Sequence, residues 1–244
     1  MIYNVNLSNL LVLDIETVPG APDFQQLPDH WKRLWEDKMS KTMPENLTPS
    51  EWYAQRAGIL GEFGKIICIS TGYFYQDTNG KTGFRMKSIS GDDEKNLLTE
   101  FLELLNTFKN KRNAVILAGH NIKEFDIPYI CRRLMIHQIV LPEMLQLSAK
   151  KPWETNMIDT MELWKFGDYK NYTSLNLLAA VLGIKTPKDD IDGSMVREVY
   201  YNEHDLPRIT VYCQKDVLTT ANIIMRFKGL PLIDDENIVI ADIK

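Results

Sequence analysis

Short apolar runs and helical stripes alternate along the chain, which is the pattern of a mixed α/β protein. Leu10-Leu11-Val12-Leu13 reads as a buried strand, too short to span a membrane, and it ends in Asp14 and Glu16, one residue apart. Positions i and i+2 of an extended chain face the same way, so both carboxylates can lean into one site. Pro19-Gly20-Ala21-Pro22 then breaks the backbone. Residues 20–63 form an aromatic-rich helical insertion, with Trp31 and Trp35 four apart in one helix and a capping box, Thr48-Pro49-Ser50-Glu51, opening another. Residues 65–75 and 83–89 make the two strands of a hairpin around a turn at 77–80. Ser90 to Glu94 caps a helix striped by Leu97, Leu98, Phe101, Leu104, Leu105 and Phe108, and Lys109-Asn110-Lys111-Arg112 is its basic end, suited to the helix dipole.

Residues 114–118 predict an inner strand that breaks at Gly119-His120-Asn121, and a helix starts near Asp126 with Pro128 in its first turn. A further strand is expected at 156–160. A helix over 175–182 follows Thr173 or Ser174 and ends at Gly183, an acidic loop covers 187–193, and a long last helix runs over 206–227. Its stripe of Ile209, Cys213, Val217, Ala221 and Ile224 is the face expected to pack on a sheet. With no internal repeat or linker, the whole chain, 1–244, reads as one domain carrying the insertion.

Three places offer acids that a fold can gather. Asp14 and Glu16 close a core strand, where two like charges repel and desolvation adds to the cost. A divalent cation would relieve both; a strand end open to solvent would do so as well. Asp126 by itself suits a helix N-cap. Tyr212 and Asp216 lie four apart, on one helix face. Together, four carboxylates and a tyrosine suit a two-metal phosphodiester site, in which paired ions bracket the scissile phosphate. Magnesium prefers oxygen ligands. No His/Cys cluster suggests zinc, and the chain lacks GxxxxGK[ST], GxGxxG and GxSxG.

Composition narrows the partners. A net charge of −5 and a pI near 5.5 give no global pull toward nucleic acid or anionic membrane, though a local basic groove stays compatible with them. Cys68, Cys131 and Cys213 form no CxxC pair and read as reduced thiols. No basic n-region precedes the first apolar run, so neither signal peptide nor membrane anchor is expected and a cytoplasmic location is.

Asp14-Ile15-Glu16, then Asn121-Ile122-Lys123-Glu124-Phe125-Asp126, then Tyr212-Cys213-Gln214-Lys215-Asp216 resemble, in order, the three motifs of the DEDD 3′–5′ exonucleases, tyrosine subgroup. The stretch from His120 to Ile130 is similar to the proofreading exonuclease domain of family B DNA polymerases. Asp159-Thr160, residues 175–184 and Asp192-Gly193-Ser194 resemble its stand-alone bacterial relatives, so the likeness covers about residues 8–228. It implies a ribonuclease-H-like α/β fold, with a mixed five-stranded sheet flanked by helices and one strand antiparallel. It implies that Asp14, Glu16, Asp126 and Asp216 hold two Mg2+ or Mn2+ ions, that Tyr212 orients the attacking water and that Asn121 contacts substrate near the 3′ terminus. Asp159 matches no ligand and is expected to be supporting or structural. No polymerase domain follows, so a replicative polymerase is not expected.

The resulting expectation is hydrolysis at the 3′ end of single-stranded nucleic acid, DNA ahead of RNA, releasing nucleoside 5′-monophosphates. Thr17 and Phe125 join Asn121 as expected substrate contacts, and Phe125, Tyr129 and the insertion's tryptophans are candidates for base stacking, although core packing is the commoner use of a tryptophan. Two alternatives stand beside it. One is a non-catalytic nucleic-acid-binding or polymerase accessory module. The other is a haloacid-dehalogenase-like phosphatase, whose DxDx[TV] start resembles residues 11–17; here the second acid is glutamate, and Lys188-Asp189-Asp190 lacks a preceding apolar strand.

Overall fold

A computed structural model describes residues 2–112, 114–147, 151, 154–168, 170, 172–185 and 191–241. Among these residues one mixed sheet has the order β5-β4-β1-β2-β3-β6, built from β1 (Leu10–Pro19), β2 (Gly64–Gln76), β3 (Thr82–Ser90), β4 (Ile116–Gly119), β5 (Met157–Asp159) and β6 (Ile238–Ile240). β2 alone runs against the rest, because β1 and β3 pair with it antiparallel while β4, β5 and β6 join in parallel. This is the ribonuclease-H-like α/β arrangement expected, with six strands in place of five. The extra strand, β6, is only Ile238–Ile240. Three residues carry no readable alternation, and their pairing with Phe84–Met86 of β3 defines them as a strand.

β1 organises both layers through its period of two. Leu11, Leu13 and Ile15 face helices α3 (Glu94–Asn110) and α4 (Asp126–Ile136), packing with Leu98, Phe101 and Ile130. Leu10 and Val12 point the other way, toward Val217, Ala221 and Ile224 of α8 (Leu206–Phe227). Asp14 and Glu16 continue that second face, up to a register shift between Glu16 and Thr17. The hydrophobic stripe of α8 therefore brings its polar neighbours down beside the end of β1.

Between β1 and β2, α1 (Asp29–Met39) and α2 (Pro49–Arg56) enclose their own cluster of Phe24, Trp35, Tyr53 and Phe63. The capping box at Thr48 and Glu51 is formed. Trp35 is fully buried and its indole N–H donates to Pro49 O at 3.1 Å, so this tryptophan is not available to stack on a base. Tyr129 is equally unavailable for stacking: it is 1% exposed, and its hydroxyl donates to Gly58 O at 2.8 Å, fastening the segment between β1 and β2 to α4. A Cβ at Gly64 would collide with that hydroxyl, which is why β2 begins on glycine. Trp31 keeps partial exposure, edge-on to Phe63.

The remaining helices are α5 (Thr160–Lys165), α6 (Leu175–Val181) and the short α7 (Val196–Glu198). Gly183 ends α6 in the left-handed region, at φ 68°. The expected acidic loop at 187–193 and Lys188-Asp189-Asp190 fall largely or wholly outside the described residues. No described helix is long and apolar enough to cross a membrane.

Candidate active site

Asp14 and Glu16 do not run out into solvent. Glu16 is 8% exposed and Asp14 is half-buried, with α8 packed over them. The closest link is Cys213, whose thiol donates to the Asp14 backbone oxygen at 3.5 Å and to its carboxylate at 3.4 Å. One residue before Cys213 and three after it, α8 carries Tyr212 and Asp216, both half-buried at the same spot. The phenol of Tyr212 lies beside the Asp216 carboxylate.

Asp126 reaches the site differently from an N-cap. It is the first residue of α4, 2% exposed, and its Oδ1 accepts the backbone N–H of Ile15 at 3.1 Å. That N–H lies between the two acids of β1, so the helix start is fixed to the strand at the point where the charges gather.

The electrostatics follow from this crowding. Burial first, then Asp126, Glu16 and Asp216, pushes the Asp14 carboxyl well above its usual range. Glu16 is raised by burial, then by Asp216 among its neighbours. Asp126 is pushed up to about 7 by burial, against hydrogen bonds from its own backbone and Ile15 that favour the charged form. Burial and the charges of Asp216, Glu16 and Asp14 raise Tyr212 as well, so its hydroxyl keeps its proton at neutral pH. Ligand-capable atoms of Asp14, Glu16 and Cys213 lie within 4.8 Å of one another. The donor set is dominated by carboxylate oxygen and strained by self-repulsion, the chemistry that suits a hard divalent cation.

The turn between β4 and α4 carries the expected substrate contacts. Asn121 sits in the left-handed region at φ 60°, and its side-chain oxygen is buried without a hydrogen-bond partner among the described residues. Phe125 is half-buried against Tyr129, with ring centroids 5.5 Å apart. Thr17 is half-buried just past the shift in β1, near the Tyr129 hydroxyl. Asp14, Glu16, Asp126, Tyr212 and Asp216 thus lie close together at one end of β1, while Asn121 and Phe125 sit on the turn that leads into α4.

Two residues around this turn have roles that the sequence left undefined. Asp159 is 3% exposed; its Oδ1 accepts from Asn121 N, Met161 N and Glu162 N at 3.0, 3.0 and 3.3 Å, and its Oδ2 from Lys123 N at 3.1 Å. It caps α5 and holds the Asn121 turn at once. The signal available for it was an aspartate between a strand and a helix. His120 bridges Thr160 Oγ1 and Thr173 O, each at 2.9 Å, and so joins the same turn to α5 and to the segment before α6.

Comparison with known proteins follows the same lines. The fold is similar to the family B DNA polymerase from the hyperthermophilic archaeon Pyrobaculum calidifontis, with a TM-score of 0.54 and 14% identity over 89% of this chain. The chain spans 24% of the length of that polymerase. No curated protein matches the sequence. Residues 61–232, more than half of the chain, match a family described as predicted 3′–5′ exonucleases related to the exonuclease domain of PolB; the match starts after β1. The chain therefore belongs to this family of PolB-related predicted 3′–5′ exonucleases.

Proposed function

We propose that the protein hydrolyses single-stranded nucleic acid from the 3′ end, DNA ahead of RNA, and releases nucleoside 5′-monophosphates. The observation that carries this reading is the convergence of Asp14, Glu16, Asp126 and Asp216 on one site, with the Tyr212 phenol beside Asp216. DNA is favoured because a DNA polymerase shares the fold. We take the whole chain as one exonuclease-like domain in which residues 20–63 are an insertion, and we place the protein in the cytoplasm, in keeping with its free cysteines.

In this reading the four carboxylates hold two Mg2+ or Mn2+ ions. Bound there, such ions supply a lowered water pKa and neutralise charge on the attacking and leaving oxygens. Tyr212 stays protonated and aims the water by hydrogen bonding. Asp126, fixed to Ile15 N, keeps its carboxylate in register with Asp14 and Glu16. The Asn121 side-chain oxygen, without a partner among the described residues, accepts from the terminal nucleotide, while Phe125 and Thr17 line its approach. A strand end must be unpaired to reach this site, because the acids lie under α8.

A panel of single-stranded, 3′-recessed and RNA substrates, with magnesium, manganese or EDTA, tests the proposal. Metal-dependent release of nucleoside 5′-monophosphates is expected. Binding of these substrates without any metal-dependent turnover would favour an accessory module instead, and an aspartyl-phosphate on Asp14 would favour a phosphatase.

A further inference from the structure

The basic end of α3 has company that a helix-capping role does not explain. Lys111 and Arg112 meet Arg85 and Lys87 of β3 around a groove of about 420 Å3. Its floor includes Leu11 and Tyr73, and one wall is Leu104 and Phe108 of α3. Leu11 belongs to the face of β1 that α3 and α4 cover, whereas Asp14 and Glu16 continue the face toward α8, so the groove and the acids lie on opposite sides of the sheet.

Among the described residues none of the four cations is within ion-pairing distance of a carboxylate. The Arg112 guanidinium lies 5.5 Å from the ring of Tyr73 and 5.2 Å from that of Phe108, and its Nε is buried with no hydrogen-bond partner among the described residues. Glu100 and Glu103 also line the groove, which leaves four positive charges against two negative on a chain whose total is −5. The volume falls in the range of small-ligand sites, about 300–1,000 Å3. An apolar, aromatic floor under a cationic rim suits a ligand with a flat ring and a phosphate: guanidinium groups bind phosphate through paired N–H donors, and an arginine plane resting on aromatic rings can in turn stack on a base.

We infer that this groove binds a phosphate-bearing nucleotide unit, either a free mononucleotide or one nucleotide of a nucleic-acid strand. Arg85, Lys87 and Lys111 take the phosphate, and Arg112 with the floor of Tyr73 and Phe108 takes the base. The site is separate from the acid cluster and does not depend on cleavage there.

The test uses the full chain in EDTA with Asp14→Ala as background, so that the acid site is disabled. Thymidine 5′-monophosphate is titrated by calorimetry and a 5′-fluorescein oligothymidylate by anisotropy. At least one probe is expected to bind the background protein, with the dissociation constant raised at least about tenfold by Lys87→Glu with Lys111→Glu. If the mononucleotide binds, the free ligand suffices; if only the oligonucleotide binds, the strand is the source. Thermal melting checks the fold of the double variant, and the single Arg85→Glu change at an exposed position carries the same prediction should the double variant fail to fold. Absence of binding by both probes, or affinity unchanged by these substitutions, overturns the inference.

Discussion

Asp126 Oδ1 accepts the backbone N–H of Ile15 at 3.1 Å, across 111 residues of sequence, and so ties the start of α4 to the strand between Asp14 and Glu16. One carboxylate thereby serves geometry through one oxygen and leaves the other for the cluster. Asp126→Asn keeps an acceptor for Ile15 N but removes a charge. Turnover is expected to fall on the order of a hundredfold or more, with the fold intact by circular dichroism. Full activity in this variant would remove Asp126 from the site.

The same residue predicts how the metal-free protein responds to pH. Its carboxyl titrates at about 7 in the fold, against an ordinary value of 3.8, so the native state holds a proton that the unfolded chain gives up earlier. The associated stability is complete below about 3.8 and is lost as pH rises through about 7. Scans in EDTA should therefore show the wild type losing more of its melting temperature than Asp126→Asn between pH 5 and pH 8. At pH 8 the variant should melt higher, by about 2–4 °C for each kcal/mol of burial and repulsion cost relieved. Magnesium should stabilise the wild type more at pH 8 than at pH 5, and melting curves with and without the ion decide this.

Asp159 should behave as a positioning residue. Asp159→Ala leaves four backbone N–H groups around the Asn121 turn and the start of α5 without their acceptor, at a cost of about 1–3 kcal/mol or more. Because Asp126 is held separately by Ile15, KM for a single-stranded end should rise several-fold while the metal concentration for half-maximal rate stays put. Asp159→Asn retains an oxygen for the three Oδ1 contacts and should recover part of the loss. Steady-state kinetics at varied metal, beside melting curves, would separate this from general destabilisation, which would shift all parameters together.

Tyr212 and Asp216 are neighbours on one face of α8 but do not share a role. Tyr212→Phe should lower the rate about ten- to a hundredfold at unchanged metal requirement, as loss of an aimed water implies. Asp216→Ala should raise the metal concentration needed. Rate measurements across a magnesium series distinguish them, and an equal shift in metal requirement for both variants would contradict the assignment.

What was legible in the sequence is what periodicity encodes. The two-residue spacing of Asp14 and Glu16 and the four-residue spacing of Tyr212 and Asp216 each fix a shared face, and the folded chain joins those faces through the stripe of α8 on β1. The helix boundaries at Leu206 and Phe227 and the capping box at Thr48 likewise rest on local chemistry. Contacts between distant segments were not legible. Nothing near Asp126 announces Ile15 N, nothing near Asp159 announces the Asn121 turn, and Tyr129 carries no mark that its hydroxyl belongs to Gly58. β6 escaped because three residues hold too little pattern and gain their identity from a neighbour. The basic run after Phe108 could be read as a helix end, but its proximity to Arg85 and Lys87 needed the fold.

Metal-dependent 3′–5′ exonuclease activity built on Asp14 can be measured by incubating a 5′-labelled single-stranded DNA with the wild type and with Asp14→Ala in magnesium. A ladder that shortens stepwise from the 3′ end with the wild type and vanishes with EDTA or in the variant is expected. A label released at once as a short 5′ fragment, or a ladder that persists in Asp14→Ala, would contradict it.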